Sequence, residues 1–237
     1  LAVLPPAARA ETDLGLAPTR LVLDASDEAA LTVVNLGTEA VTIELAMVER
    51  KMTVGGDLVP SQLGETGREA TPFLLYAPRR VTLEPRQSQV VRFVVRPSPP
   101  RGEYRSHLEI LATGASKVYR VTVPVLIRRG QLAARVTVTP HALQVLPGGL
   151  WQIEVQAHRT GNASAFGDLQ LLWSCPQRPW VPLVTRKGVA IYAENSERDF
   201  SAIVEAPAAQ TGCRVLARFV SHGAAAEPPV ATVLTEF

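Results

Sequence analysis

Histidine, cysteine and aromatic residues are scarce in this chain. The four histidines, His107, His141, His158 and His222, lie far apart, and none stands at metal-ligand spacing from another or from a cysteine. No HExxH, GxSxG, Walker loop or paired-glycine dinucleotide fingerprint occurs, so the residues offer no catalytic group, no metal site and no cofactor. Ser106 and His107 are adjacent, and as strand neighbours they point to opposite faces, which excludes them as nucleophile and base. The net charge is only +2 over 237 residues, with the basic side chains scattered; that balance asks for neither nucleic acid nor an anionic membrane as partner. No apolar run approaches the roughly 18 residues of a membrane-spanning helix. The chain does not read as an enzyme.

With aromatics at 5% and a hydrophobic content of 46%, any core must rest on Val, Leu, Ile and Ala. Nineteen prolines and sixteen glycines break the chain into short segments, which disfavours long helices. What the chain does have is alternation. In residues 117–129, KVYRVTVPVLIRR, Tyr119, Val121, Val123 and Val125 point one way and Arg120, Thr122 and Pro124 the other. A period of two predicts a half-buried strand. Pro124 cannot donate to a ladder, so this strand sits, at least there, at a sheet edge. An apolar edge offers its backbone to other chains.

Before it, strands are predicted over 14–24, with Pro18 at an edge or crossover, and over 29–36, 40–50, 73–76, 81–96 (two strands about a turn at Glu84-Pro85) and 104–113. Residues 53–71 read as a long Gly-rich loop or hairpin tip and 97–103 as a rigid loop. After a hinge at 128–131 come strands over 134–139, 142–146, 152–158, 167–173, 188–192, 199–204, 214–220 and 230–235. Short strands at this spacing predict sandwiches. The expectation is an all-β protein of two domains, residues 11–129 and 130–237.

The first ten residues, LAVLPPAARA, are set apart from both. Ala8-Arg9-Ala10 before Glu11 has the A-x-A form of a signal-peptidase site, and LAVL resembles the tail of an apolar h-region. Cleavage there would leave an exported chain starting at Glu11; the other reading is an ordinary terminus. In an exported chain a disulfide between Cys175 and Cys213 is one reading, and two buried thiols the other. Arg20, inside the apolar run LAPTRLVLD, is open to two readings as well. It either snorkels from a sheet face or anchors an anion, because a guanidinium binds carboxylate bidentately and stays charged.

Several pieces together resemble the periplasmic chaperones of the chaperone–usher pathway, which assemble pili. They are Pro18-Thr19-Arg20 before Leu21-Val22-Leu23, Val33-Val34-Asn35, Pro72-Phe73, and Leu83-Glu84-Pro85 followed by Val90-Val91-Arg92. Gly102-Glu103-Tyr104-Arg105-Ser106-His107-Leu108 and Arg186-Lys187-Gly188-Val189-Ala190-Ile191-Tyr192 are similar to the archaic, non-classical branch. The resemblance implies two immunoglobulin-like domains in an L-shaped boomerang, a periplasmic location, pilin (fimbrial) subunits as partners and delivery to an outer-membrane usher. A pilin is a sandwich lacking its last strand, and the chaperone completes it by strand addition. On that likeness Tyr119, Val121, Val123 and Val125 would be the donated side chains, and Arg20 would hold the subunit's C-terminal carboxylate. Arg105 and Arg128 fall at positions of inter-domain contact. Self-capping into a dimer through the same edge is a further implication.

The sequence departs from the family pattern in three places. Pro124 stands where the family has a lysine on the donor strand, with Arg128 and Arg129 as substitutes further on. Arg105 stands where a glutamate helps lock the domains, with Glu103 close by. The connection Gly114-Ala115-Ser116 is short. The competing reading is an exported structural or adhesive protein of two sandwich domains, in which strand 117–127 is simply core.

Overall fold

A computed structural model describes residues 14–24, 26–206, 212–222 and 231–234. The proposed signal remnant, residues 1–10, lies outside the described residues. Those described form strands and one short 3-10 turn, Thr71–Phe73. They divide into two compact units. The first lies within Leu1–Glu49, Arg68–Pro100 and Tyr104–Arg129, the second within Arg50–Gly67, Arg101–Glu103 and Gly130–Phe237. The principal break is thus between Arg129 and Gly130, and residues 50–67 and 101–103 group with the second unit.

The first unit is a sandwich of two sheets. Its strands are β1 (Leu14–Ala17), β2 (Leu21–Leu23), β3 (Glu28–Asn35), β4 (Val41–Val48), β7 (Leu74–Ala77), β8 (Arg80–Leu83), β9 (Ser88–Val95), β10 (Gly102–Thr113) and β11 (Val118–Arg129); β5 (Arg50–Met52) and β6 (Leu58–Pro60) go with the second unit. One sheet has the order β1-β3-β9-β7, the other β2-β11-β10-β4-β8. Alternation decides which side chains enter the core: in β4, Val41, Ile43 and Leu45 are buried while Glu44 and Ala46 are exposed. With Leu23, Leu31, Phe93, Leu108 and Ile110 they make an aliphatic core, each such burial stabilising by about 1.5–3 kcal/mol. The predicted first strand, 14–24, is divided at Pro18. β1 pairs with β3 in one sheet and β2 with β11 in the other, so the proline marks a crossover.

In the second unit, β12 (Ala134–Leu146), β13 (Leu150–Gly161) and β16 (Glu197–Glu205) form a three-stranded sheet. β14 (Ala165–Ser174), β15 (Val181–Ile191), β17 (Arg214–Ser221) and β18 (Ala231–Leu234) form a sheet ordered β15-β14-β17-β18. Two predicted strands, 134–139 and 142–146, are one strand, β12, irregular between Pro140 and Ala142. β15 begins earlier than the predicted 188–192, because Pro182 and Arg186-Lys187 hide its alternation. A disulfide joins Cys175, just after β14, to Cys213, just before β17, and so closes the end at which Ser174 pairs with Arg214. The buried guanidinium of Arg159 donates to four carbonyls, those of Asn195, Gly161, Ala163 and Ala193.

The stretch read as a long loop or hairpin tip holds the turn and second strand of the hairpin β5–β6, whose three-residue strands are too short to show alternation. It is fixed within the second unit by Asp199 N–H to the Val54 carbonyl (2.8 Å) and Asn195 Nδ2 to the Met52 carbonyl (3.1 Å). At its tip Gly56 has φ +90°, a conformation that residues with a Cβ adopt only under strain, and it lies against the Arg198 guanidinium. Arg198 also lies over the Phe200 ring, 4.8 Å from its centroid. Burial, and then the charge of Arg186, lowers its pKa below the usual guanidinium value.

Candidate functional site

The features singled out in the sequence converge on β11, and its two halves differ. One flank of β11 is covered by β10 along the sheet. On the other flank β2 pairs with it, parallel, only at Val125↔Leu21, Leu126↔Val22 and Ile127↔Leu23. From Val118 to Pro124 that flank has no neighbouring strand among the described residues. Backbone N–H and C=O groups on such an edge are ready partners for another extended chain. Pro124 stands where the open segment ends, as its missing N–H requires.

The covered half is pinned. The Arg129 guanidinium donates to the carbonyls of Leu23 (3.1 Å), Asp24 (2.8 Å) and Arg128 (2.8 Å), and pairs with Asp27. Arg129 is therefore engaged in holding β11 against β2 and its following turn.

The four side chains expected to be offered to a partner do not share one environment. Val123 is 2% exposed and Val125 0%, and both belong to the unit's own core. Their face is the inward one, fixed by the period of two, so neither can leave without opening a cavity. Tyr119 packs half-buried on the core margin, and Val121 is half-buried outside the core cluster. On the opposite face Val118 is 64% exposed. Arg120 is also exposed, 3.9 Å from Glu109. Before Val123, the side chains of 118–122 are exposed or half-buried.

Arg20 is half-buried and directly precedes β2. Extending the register Leu21↔Val125 by one residue sets it beside Pro124, at the inner end of the open edge. Arg105 is buried and Arg128 half-buried, both within the first unit. Glu103, noted in the sequence only as a neighbour of Arg105, is the better-held acid: it is 2% exposed. Within the second unit its carboxylate accepts the Ser164 N–H (2.8 Å) and the Ser164 hydroxyl. Ser106 is likewise structural; its hydroxyl donates to the Glu49 carboxylate (2.9 Å) and accepts the N–H groups of Ala70 (2.9 Å) and Thr71 (3.0 Å). His107 is fully buried.

At the outer end of the edge the connection into β11 is tight, Gly114 N–H bonding the Lys117 carbonyl at 2.9 Å. Beside it a pocket of about 120 Å³ opens between β1, the β3–β4 turn and the start of β11. Nothing in the sequence pointed to it, since its walls come from three separate segments.

No known family model matches this sequence, and no curated protein does. Solved structures do resemble it. One is a chain from the CsuC–CsuE chaperone–tip adhesion subunit pre-assembly complex of the archaic chaperone-usher Csu pili of Acinetobacter baumannii; it aligns at TM-score 0.52 and 9% identity over 93% of this chain and 97% of that one. Another is the YadV chaperone, at TM-score 0.51 and 10% identity over 94% of this chain and all of the other. The chain has the two-domain fold of the chaperone–usher pilus chaperones.

Proposed function

We propose that this protein is a non-enzymatic periplasmic chaperone, which caps pilin-type subunits by lending them the open edge of β11 and passes them to an outer-membrane usher. The observation that carries this reading is the half-paired strand: on the flank away from β10, Val125–Ile127 pairs with β2 while Val118–Pro124 has no neighbouring strand among the described residues. A sandwich missing its last strand presents the complementary defect, an unpaired edge beside an apolar groove. Adding one to the other satisfies backbone groups on both sides. Tyr119 and Val121 are the side chains left to enter such a groove, whereas Val123 and Val125 stay in the donor's own core and Val118 points to the other face. Arg20, beside Pro124, is placed to meet the C-terminal carboxylate of a strand that ends there. The same edge can pair with a second copy of the chain, which would cap it until a subunit arrives.

The test is amide hydrogen exchange on the protein alone and in complex with a pilin subunit co-expressed in the periplasm. Bound subunit should slow exchange within 118–124 and leave 125–127, already paired with β2, nearly unchanged. Val121→Asp and Arg20→Ala should lose the 1:1 complex while staying folded. Protection that falls elsewhere, or complexes that survive both substitutions, would favour the structural or adhesive reading.

A further inference from the structure

The pocket at the outer end of the open edge is not required for backbone pairing, yet it is continuous with that edge. Lys117, just before β11, and Tyr119, its second residue, line it. Its apolar walls are Leu14, Val41 and Tyr119. Leu14 and Val41 are core residues of the sandwich, 9% and 8% exposed, so the pocket reaches the core itself. It exists because the chain crosses between sheets: β1 hydrogen-bonds to β3 in the far sheet, and β2 reaches β11 only from Val125 onward.

The chemistry of the walls selects the guest. Asn35 is the one buried polar side chain among the lining residues, and its amide is engaged. Its Nδ2 donates to the carbonyls of Glu39 (2.8 Å) and Leu83 (3.0 Å), and its Oδ1 accepts the Gly37 N–H at 3.0 Å. Both of its N–H groups are therefore used inside the protein. Glu39 and Lys117, of opposite charge, lie exposed at the rim with Thr38 and Ser116. At the floor, between Leu14, Val41 and Tyr119, a charged or amide group would give up water without a matching partner, whereas an aliphatic group would bury its surface. The space suits one side chain of leucine size.

We infer that this pocket is an anchor subsite for a single bulky aliphatic side chain, carried by the segment that pairs with the open edge and lying at the end of that segment next to Lys117. The inference rests on the edge-pairing reading above, and it adds a rule of partner choice. Backbone pairing accepts any extended sequence; the pocket sorts among them by one residue.

A soluble nine-residue peptide of alternating valine and threonine, with lysine at each end, serves as probe. Four versions differ only in the residue nearest one end: Ala, Leu, Asn or Glu. Affinity is read by fluorescence anisotropy for the wild type, for Thr38→Trp, which plugs the pocket from its rim, and for Val121→Asp. The Leu peptide should bind wild type about tenfold more tightly than the Ala peptide, a difference that follows from burying the larger side chain, and the Asn and Glu peptides no better than Ala. Thr38→Trp should abolish the preference for Leu while leaving the Ala peptide's affinity unchanged. Equal affinity for all four peptides, or a Leu preference that survives the plug, overturns the subsite and leaves edge pairing standing. Failure of every peptide to bind wild type overturns both. An unchanged thermal midpoint for Thr38→Trp shows that the plug has not disturbed the fold.

Discussion

In each unit a long strand has an open flank among the described residues, β11 over the half that β2 does not reach and β15 at the end of its sheet, and the two treat that flank differently. β15 in the second unit carries Pro182 near its start and the exposed run Arg186-Lys187-Gly188 further on. Its pairing with β14 slips twice, between Gly167 and Leu169 and between Leu171 and Leu172. A missing N–H, charges and irregular register are the usual ways of making an edge unattractive to another strand. β11 has its proline only at the last position of the open segment and one charge, Arg120, within it. On the proposed function, the open edge is the one that meets a partner. The pair serves as an internal control, since both strands belong to one chain and meet the same solvent.

The strongest way to break the comparison lies inside β11. Val121→Asp and Val125→Asp place the same charge on the same face of one strand, four residues apart. Val125 is fully buried, and a carboxylate there has no partner. Its penalty should exceed about 4 kcal/mol, enough to unfold the first unit, as calorimetry or urea titration would read. Val121 lies outside the core cluster at the open flank, so its substitution should cost about 1 kcal/mol or less and be felt in partner binding. If both variants unfold alike, the open half of β11 is core and the two edges do not differ in kind.

The second unit should respond to a different lesion. Replacing Cys175 and Cys213 by alanine removes a cross-link spanning 38 residues, and such loops stabilise by about 2–4 kcal/mol. The loss should appear in the transition of the second unit, with the first unit's amide protection unaltered. Smaller again is Arg129→Met. It leaves the carbonyls of Leu23 and Asp24 without their donor, at about 1–2 kcal/mol. Its diagnostic sign is local: exchange at 125–127 should quicken toward the rate of 118–124, as the pinned half of β11 comes to resemble the open half.

How much of this could be read from the residues follows from the range of each interaction. Alternation is a nearest-neighbour property, so β4, β9, β10 and β11 stand out in the sequence, and so does the period that turns Val123 and Val125 the same way as Tyr119. Which side of the sheet that face meets is not local. It depends on where β2 ends along β11, and β2 is only three residues long. The alternation was therefore legible while its partition into core and open edge was not. Pro18 showed that something happens to the first strand, and the crossover itself emerged only from the pairing of β1 and β2 with different sheets. The β5–β6 hairpin was legible only as a tip, because its strands are too short to alternate, and the start of β15 was hidden by the very proline and charges on its edge. Glu103 gave a faint signal by its nearness to Arg105, but its partner Ser164 lies 61 residues on, beyond any reading of spacing.

The smallest expected effect reverses the comparison. Pro182→Thr together with Lys187→Thr gives β15 a donor it lacks and removes one of its exposed charges. Both positions are exposed, so unfolding free energy should change by no more than about 0.5 kcal/mol. What should change is association: sedimentation velocity at rising concentration should show a concentration-dependent species in the double variant beyond any seen in wild type. Val118→Lys, which sets a charge on the open half of β11, should lower self-association that runs through that edge and leave the new association untouched. The two edits act on different edges, so their effects should add. If instead the β15 variant stays as it was, the two slips in its register against β14 are sufficient protection by themselves, and geometry outweighs side-chain chemistry in keeping that edge closed to other chains.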